Sequence, residues 1–74
     1  MSLNPDHLLT FIAVAEAANI SRAAKALHLS QPAVSRAMRD LEDILGVKLL
    51  ERGRRGVAPT PFGAALARRA RGMI

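Results

Sequence analysis

The chain has no cysteine, tryptophan or tyrosine, and its only aromatic residues are Phe11 and Phe62. Without cysteine there is no disulfide framework and no thiolate metal site, which fits a reducing compartment. Two isolated phenylalanines make no stacking platform for single-stranded nucleic acid. No apolar run approaches the ~20 residues of a membrane helix. The opening MSLNPDHLLTF lacks the basic residues ahead of an apolar block that mark a secretory signal. These absences predict a soluble, cytoplasmic protein. His7 and His28 have no cysteine or paired carboxylate at metal-ligand spacing. Ser21, Ser30 and Ser35 have no base placed to activate them. The expectation is no enzyme, no metal and no cofactor in this domain.

Acid is scarce in a patterned way. From Ala17 to Arg39 there are four bases and no acid, and from Arg52 to Ile74 six arginines and no acid. Eleven Lys and Arg against six Asp and Glu give a net charge of +5. Such segregation points to a polyanionic partner, nucleic acid or an anionic membrane surface. The membrane reading fails on patterning, because the apolar faces of all the helices are needed for one core. With 74 residues there is at most one domain, of which half the residues are hydrophobic. Folding at this length buries only ~60% of the unfolded chain's surface.

Asn4-Pro5-Asp6 reads as a helix start, with a cap, a proline in the first turn and an acid at the positive end of the dipole. Leu8, Phe11, Ile12 and Ala15 then recur at helical spacing as a buried stripe. Asn19 is expected in the left-handed conformation that ends this helix. Ser21 is expected to cap a short second helix to about Leu27, with Ala23, Ala24 and Leu27 inward and Arg22 and Lys25 wet. The small alanines let another helix cross closely. His28-Leu29-Ser30 makes the turn. Ser30 caps a third helix, Gln31 and Pro32 lie in its first turn, and Gly46 stops it after Leu45.

At about 100° per residue, the third helix puts Val34, Met38, Leu41 and Leu45 on one side. Pro32, Ser35, Arg36 and Arg39 fall on the other. Short extended segments around Gly53-Arg54-Arg55-Gly56 predict a hairpin. Thr60-Pro61 repeats the cap-plus-proline start, and a helix follows from Phe62 to Ile74. The order is helix, helix, turn, helix, hairpin, helix. It predicts a mainly α fold, a winged helix-turn-helix with a three-helix core, a small two-stranded β-wing and a further helix.

In a helix-turn-helix the second helix of the motif enters the DNA major groove. Short residues near its start let the backbone approach the groove floor, and arginine makes bidentate bonds to guanine. Arg36 and Arg39 are the candidate base readers, with Ser35, Gln31 and Pro32 beside them. Arg52, Arg54 and Arg55 can reach phosphates or a minor groove from the wing. Ser21 is a cap that can also meet a phosphate. Arg22 and Lys25 stand equally as solvated charge or as phosphate contacts.

The stretch AAKALHLSQPAVSRAMRDLEDILGVKLLER resembles the N-terminal DNA-binding region of LysR-type transcriptional regulators. Ala23-Ala24, the Ser-Gln-Pro-Ala-Val-Ser-Arg run from Ser30, Leu41-Glu42, Leu45-Gly46 and Arg52 carry the likeness. It implies a bacterial regulator that binds promoter DNA as a dimer or tetramer, with Gln31, Pro32, Ser35, Arg36, Arg39 and Arg52 to Arg55 at the family's DNA-contacting positions. It also implies a domain at 1–60 and the truncated start of a linker or dimerisation helix at 61–74, the chain being a fragment. A small-molecule effector is then expected for a C-terminal domain beyond this chain. Three places depart from the family pattern. Leu49-Leu50 replaces Leu-Phe before the wing, Pro59-Thr60 replaces Leu-Thr at the linker start, and Ala18-Asn19 stands where a glycine often precedes the second helix. Pro59 removes a backbone donor, so the second wing strand is expected to be short or an edge. The alternative reading is an oligomerisation module with only non-specific DNA affinity, motivated by Phe62, Leu66 and Ile74 among the alanines of the last segment.

Overall fold

Helix α1 begins at Pro5, whose missing amide hydrogen costs nothing in a first turn. The computed structural model describes residues 5–54 and 56–73, so Asn4 and its expected capping role lie outside the described residues. The elements are α1 (Pro5–Ala17), α2 (Ile20–Leu27), α3 (Gln31–Leu45), β1 (Leu50–Gly53), β2 (Gly56–Pro59) and α4 (Pro61–Met73). This is the expected winged helix-turn-helix.

Helix α1 touches α2, α3, α4 and β2. Its buried arc is therefore broader than one stripe and differs from the expected one. Phe11 and Val14 are wholly buried, Leu8 and Ala15 pack partly against the core, and Ile12 is only half-buried at the edge. Buried Thr10 donates its hydroxyl to the Asp6 carbonyl at 2.8 Å, which satisfies it one turn back.

The corner between α1 and α2 corrects two expectations. Ala18, not Asn19, takes the left-handed conformation, at φ 55°. Asn19 is extended and caps α2, its side-chain oxygen accepting from the Arg22 amide at 2.8 Å. Ser21 therefore lies inside the helix and is not its cap. Ile20, the first residue of the helix, packs partly against the core. Ala23 and Ala24 are buried as expected, and α2 lies against both α1 and α3. It ends at left-handed His28. The His28 amide donates to the Lys25 carbonyl and the Leu29 amide to the Ala24 carbonyl, a Schellman-type stop.

Ser30 caps α3, its Oγ accepting from the Ala33 amide at 3.2 Å, and Gly46 closes the helix at φ 72°. Val34, Met38 and Leu41 are buried and join Phe11, Val14, Leu49, Leu50, Val57 and Ala67 in one cluster. Leu45 packs partly against that cluster.

The hairpin pairs Leu50 with Pro59 and Gly53 with Gly56, antiparallel, and Arg54 lies in the turn after β1. Pro59 ends β2, and in a two-stranded sheet both strands are edges. Thr60 caps α4 by accepting from the Gly63 amide at 3.1 Å. Gly63 lies so close to the Leu49 carbonyl that a Cβ there would overlap it. Ala67 and Ala70 bury one face of α4, while Phe62 is 62% exposed. Arg71 and Glu16 join α4 to α1 by an exposed ion pair at 3.6 Å, a contact worth little in water. Among the described residues no helix is long and apolar enough to cross a membrane.

Candidate nucleic-acid interface

The cap at Ser30 sets where α3 starts, and that start sets which side chains face outward. Gln31, Pro32, Arg36 and Arg39 are exposed and Ser35 is half-buried; Pro32, Arg36 and Arg39 lie on the side away from Val34, Met38 and Leu41, while Gln31 and Ser35 lie on the flank next to Met38. The side chains of Arg36 and Arg39 make no hydrogen bond or ion pair among the described residues. Their guanidiniums are free for a ligand.

Ser21 and Gln31 come together across the motif, with Gln31 Nε2 donating to Ser21 Oγ at 3.0 Å. Ser21 thus sits beside the start of α3, although not as a cap. On the wing side Arg52 Nη2 donates to Ser35 Oγ at 3.3 Å. These contacts bring Ser21 to Gln31 and Arg52 to Ser35, so α2 and the hairpin both meet the helix that carries exposed Pro32, Arg36 and Arg39. Arg54 is exposed at the hairpin tip. Arg55, the other expected wing contact, lies outside the described residues.

Between α3 and the hairpin runs an open cleft of about 790 Å³, lined by Ser35, Met38, Arg39, Glu42, Lys48, Glu51 and Arg52 among others. Two anchors hold the hairpin beside it. Glu42 Oε2 accepts from the Leu49 amide at 2.7 Å and the Leu50 amide at 3.2 Å. The Val57 amide donates to the Ala18 carbonyl at 3.1 Å. Gly56, at φ 119°, leaves no room for a Cβ against that same carbonyl.

Reading the sequence missed these anchors. Glu42 offered a signal: four residues after Met38, it falls on the inward side of the helix, where a carboxylate must find donors. The role of Ala18 carried no local signal, because its partner is a backbone amide 39 positions along the chain.

An outward helix bearing arginines, entered by a tight turn and flanked by a basic hairpin, defines a winged helix-turn-helix domain. The model of the bacterial regulatory helix-turn-helix proteins, lysR family, matches residues 5–64. The chain belongs to the LysR family. It is 50% identical over 64 residues to the HTH-type transcriptional regulator PcaQ of Agrobacterium fabrum, covering 86% of this chain and 21% of PcaQ. To the regulator TcbR of a Pseudomonas strain it is 53% identical over 64 residues, 86% of this chain and 22% of TcbR. The chain thus spans about a fifth of the length of these relatives. Among solved structures, the CbnR DNA-binding domain in complex with DNA superposes at a TM-score of 0.91 with 49% identity, over 96% of this chain and 82% of that one. The BenM DNA-binding domain with catB site 1 DNA gives 0.92 at 39% identity, over 96% and 79%.

Proposed function

We propose that this domain binds double-stranded promoter DNA sequence-specifically, as the DNA-reading part of a LysR-type transcriptional regulator working in the bacterial cytoplasm. Helix α3 enters the major groove and the hairpin lies on the phosphate backbone or in the adjacent minor groove. The observation that carries this reading is the free arginine pair, Arg36 and Arg39, on the face of α3 opposite its buried residues. The DNA complexes formed by the CbnR and BenM domains support it.

In this reading Arg36 and Arg39 pair with guanine edges, and Ser35 and Gln31 hydrogen-bond to bases or phosphates. Pro32 allows close approach at the helix start. Ser21 lies near a phosphate, and Arg52, Arg54 and Arg55 neutralise phosphates or insert into the minor groove. The full-length regulator works as a homodimer or tetramer on half-sites one or two helical turns apart, and its small-molecule effector binds outside this domain.

Duplexes selected from a random pool supply the cognate site. Arg36→Ala is expected to cost about tenfold or more in affinity for that site and to narrow the gap to random duplexes, since a bidentate pair carries ~1–3 kcal/mol of discrimination. Unchanged binding to both duplexes would remove α3 from the groove. The exposed Phe62 on α4 motivates a second reading, an oligomerisation module with non-specific affinity only. A tight dimer by mass measurement, indifferent to duplex sequence, would favour it.

A further inference from the structure

We propose that Glu42 is a positioning residue for DNA recognition: it stands on the reading helix but acts through the hairpin, whose root its carboxylate holds. The inference rests on the DNA-binding reading above. Ser35, Met38 and Glu42 follow at intervals of three and four, so they line the edge of α3 that faces the hairpin. At one end of that edge Arg52 reaches Ser35. At the other, one oxygen of Glu42 receives the amides of Leu49 and Leu50, at 2.7 and 3.2 Å, where the chain enters β1. Leu49 and Leu50 are themselves buried, so these amides need an internal acceptor. A charged acceptor makes such bonds short and strong.

The hairpin carries Arg52 and Arg54 and is too small to hold its own angle to α3, since an isolated two-stranded hairpin is marginal in water. Glu42 holds its root, where the chain enters β1 beside Thr60, while the Ala18 carbonyl pins Val57 on the second strand nearer the tip. A shift at the root would turn the hairpin about the pinned Val57 and move Arg52 and Arg54, and charge-assisted bonds to phosphate fall away steeply with distance.

A simpler account makes Glu42 a negative charge near DNA. Its removal would then tighten binding. The two accounts separate on three variants titrated with the selected duplex. Glu42→Gln keeps an acceptor oxygen at the same reach and loses the charge. Glu42→Asp keeps the charge and loses the reach. Arg54→Ala, in the wild-type and Glu42→Asp backgrounds, reports whether the wing still engages.

Glu42→Gln is expected to bind within about twofold of wild type and Glu42→Asp about tenfold more weakly, a size usual for coupled contacts. Arg54→Ala should cost several-fold in the wild-type background and less than about twofold in Glu42→Asp, because a misplaced wing has little left to lose. The Leu49 and Leu50 amide resonances should shift in Glu42→Asp without DNA. A purely stabilising role would lower the melting temperature but leave the cost of Arg54→Ala the same in both backgrounds. That result, wild-type affinity in Glu42→Asp, or tighter binding in Glu42→Gln, would overturn the proposal. Insensitivity of the wild-type domain to Arg36→Ala would overturn the DNA-binding reading itself and is seen in a separate titration.

Discussion

Ala18 pays a steric penalty that its position requires. A left-handed φ brings the Cβ of an L-residue against its own carbonyl, at roughly 1–2 kcal/mol. The conformation persists because the Ala18 carbonyl must face the Val57 amide while its own amide closes α1 on the Val14 carbonyl. Glycine adopts this geometry freely but loses more freedom on folding, which offsets ~0.4–1 kcal/mol of the gain. The side chain is exposed, so little packing is lost. Ala18→Gly is therefore expected to raise the melting temperature by about 2–6 °C, as a thermal scan would show, given ~4–8 °C per kcal/mol in a domain of this size. The same corner shows where sequence reasoning stops. Asn19 was expected to end α1 and Ser21 to cap α2, and each role falls one or two residues earlier, on Ala18 and Asn19. The Ala18 carbonyl is also the partner of the distant Val57 amide, a contact no local preference reports.

Among the elements, α3 was the most legible. Its start at Ser30, its stop at Gly46 and its buried Val34–Met38–Leu41 row are local consequences of capping and of the 3.6-residue period. Because Ser30 Oγ satisfies the Ala33 amide, Ser30→Ala is expected to destabilise the domain by ~1 kcal/mol, lowering the melting temperature by about 4–8 °C. An unchanged melting curve would mean the cap is not the start signal. The hairpin was legible as two short strands flanking the Gly53-Arg54-Arg55-Gly56 stretch, and β1 and β2 span four residues each. Its anchoring was not, because the Leu49 and Leu50 amides belong to Glu42, a long-range pairing with no signature in the local order of residues.

At the scale of the whole molecule, the outward side of α3 and the hairpin carry Arg36, Arg39, Arg52 and Arg54, with Glu51 on the first strand, while Asp40 and Asp43 come later on α3. That face was readable because helical spacing alone separates outward from inward positions. The Ser21–Gln31 and Ser35–Arg52 contacts were not, since they join elements 10 and 17 residues apart. Phosphate contacts contribute through released counterions, each adding about 0.9 to the slope of log affinity against log salt. Replacing Arg54 and Arg55 together by alanine is expected to weaken binding to cognate and random duplexes alike and to lower that slope by up to about two. Titrations at several salt concentrations check it. A loss confined to the cognate duplex would instead make the hairpin a base reader.

Thr60 occupies three roles at once. Its hydroxyl accepts from Gly63, donates to the Lys48 carbonyl at 2.6 Å, and its amide donates to the Leu49 carbonyl at 3.0 Å. Gly63 presses on the same Leu49 carbonyl from the first turn of α4. The joint between α4 and the strand root is thus a weld and not a swivel. A movement of the first turn of α4 is thereby coupled, through Thr60 and Gly63, to Lys48 and Leu49 where the arginine-tipped hairpin begins.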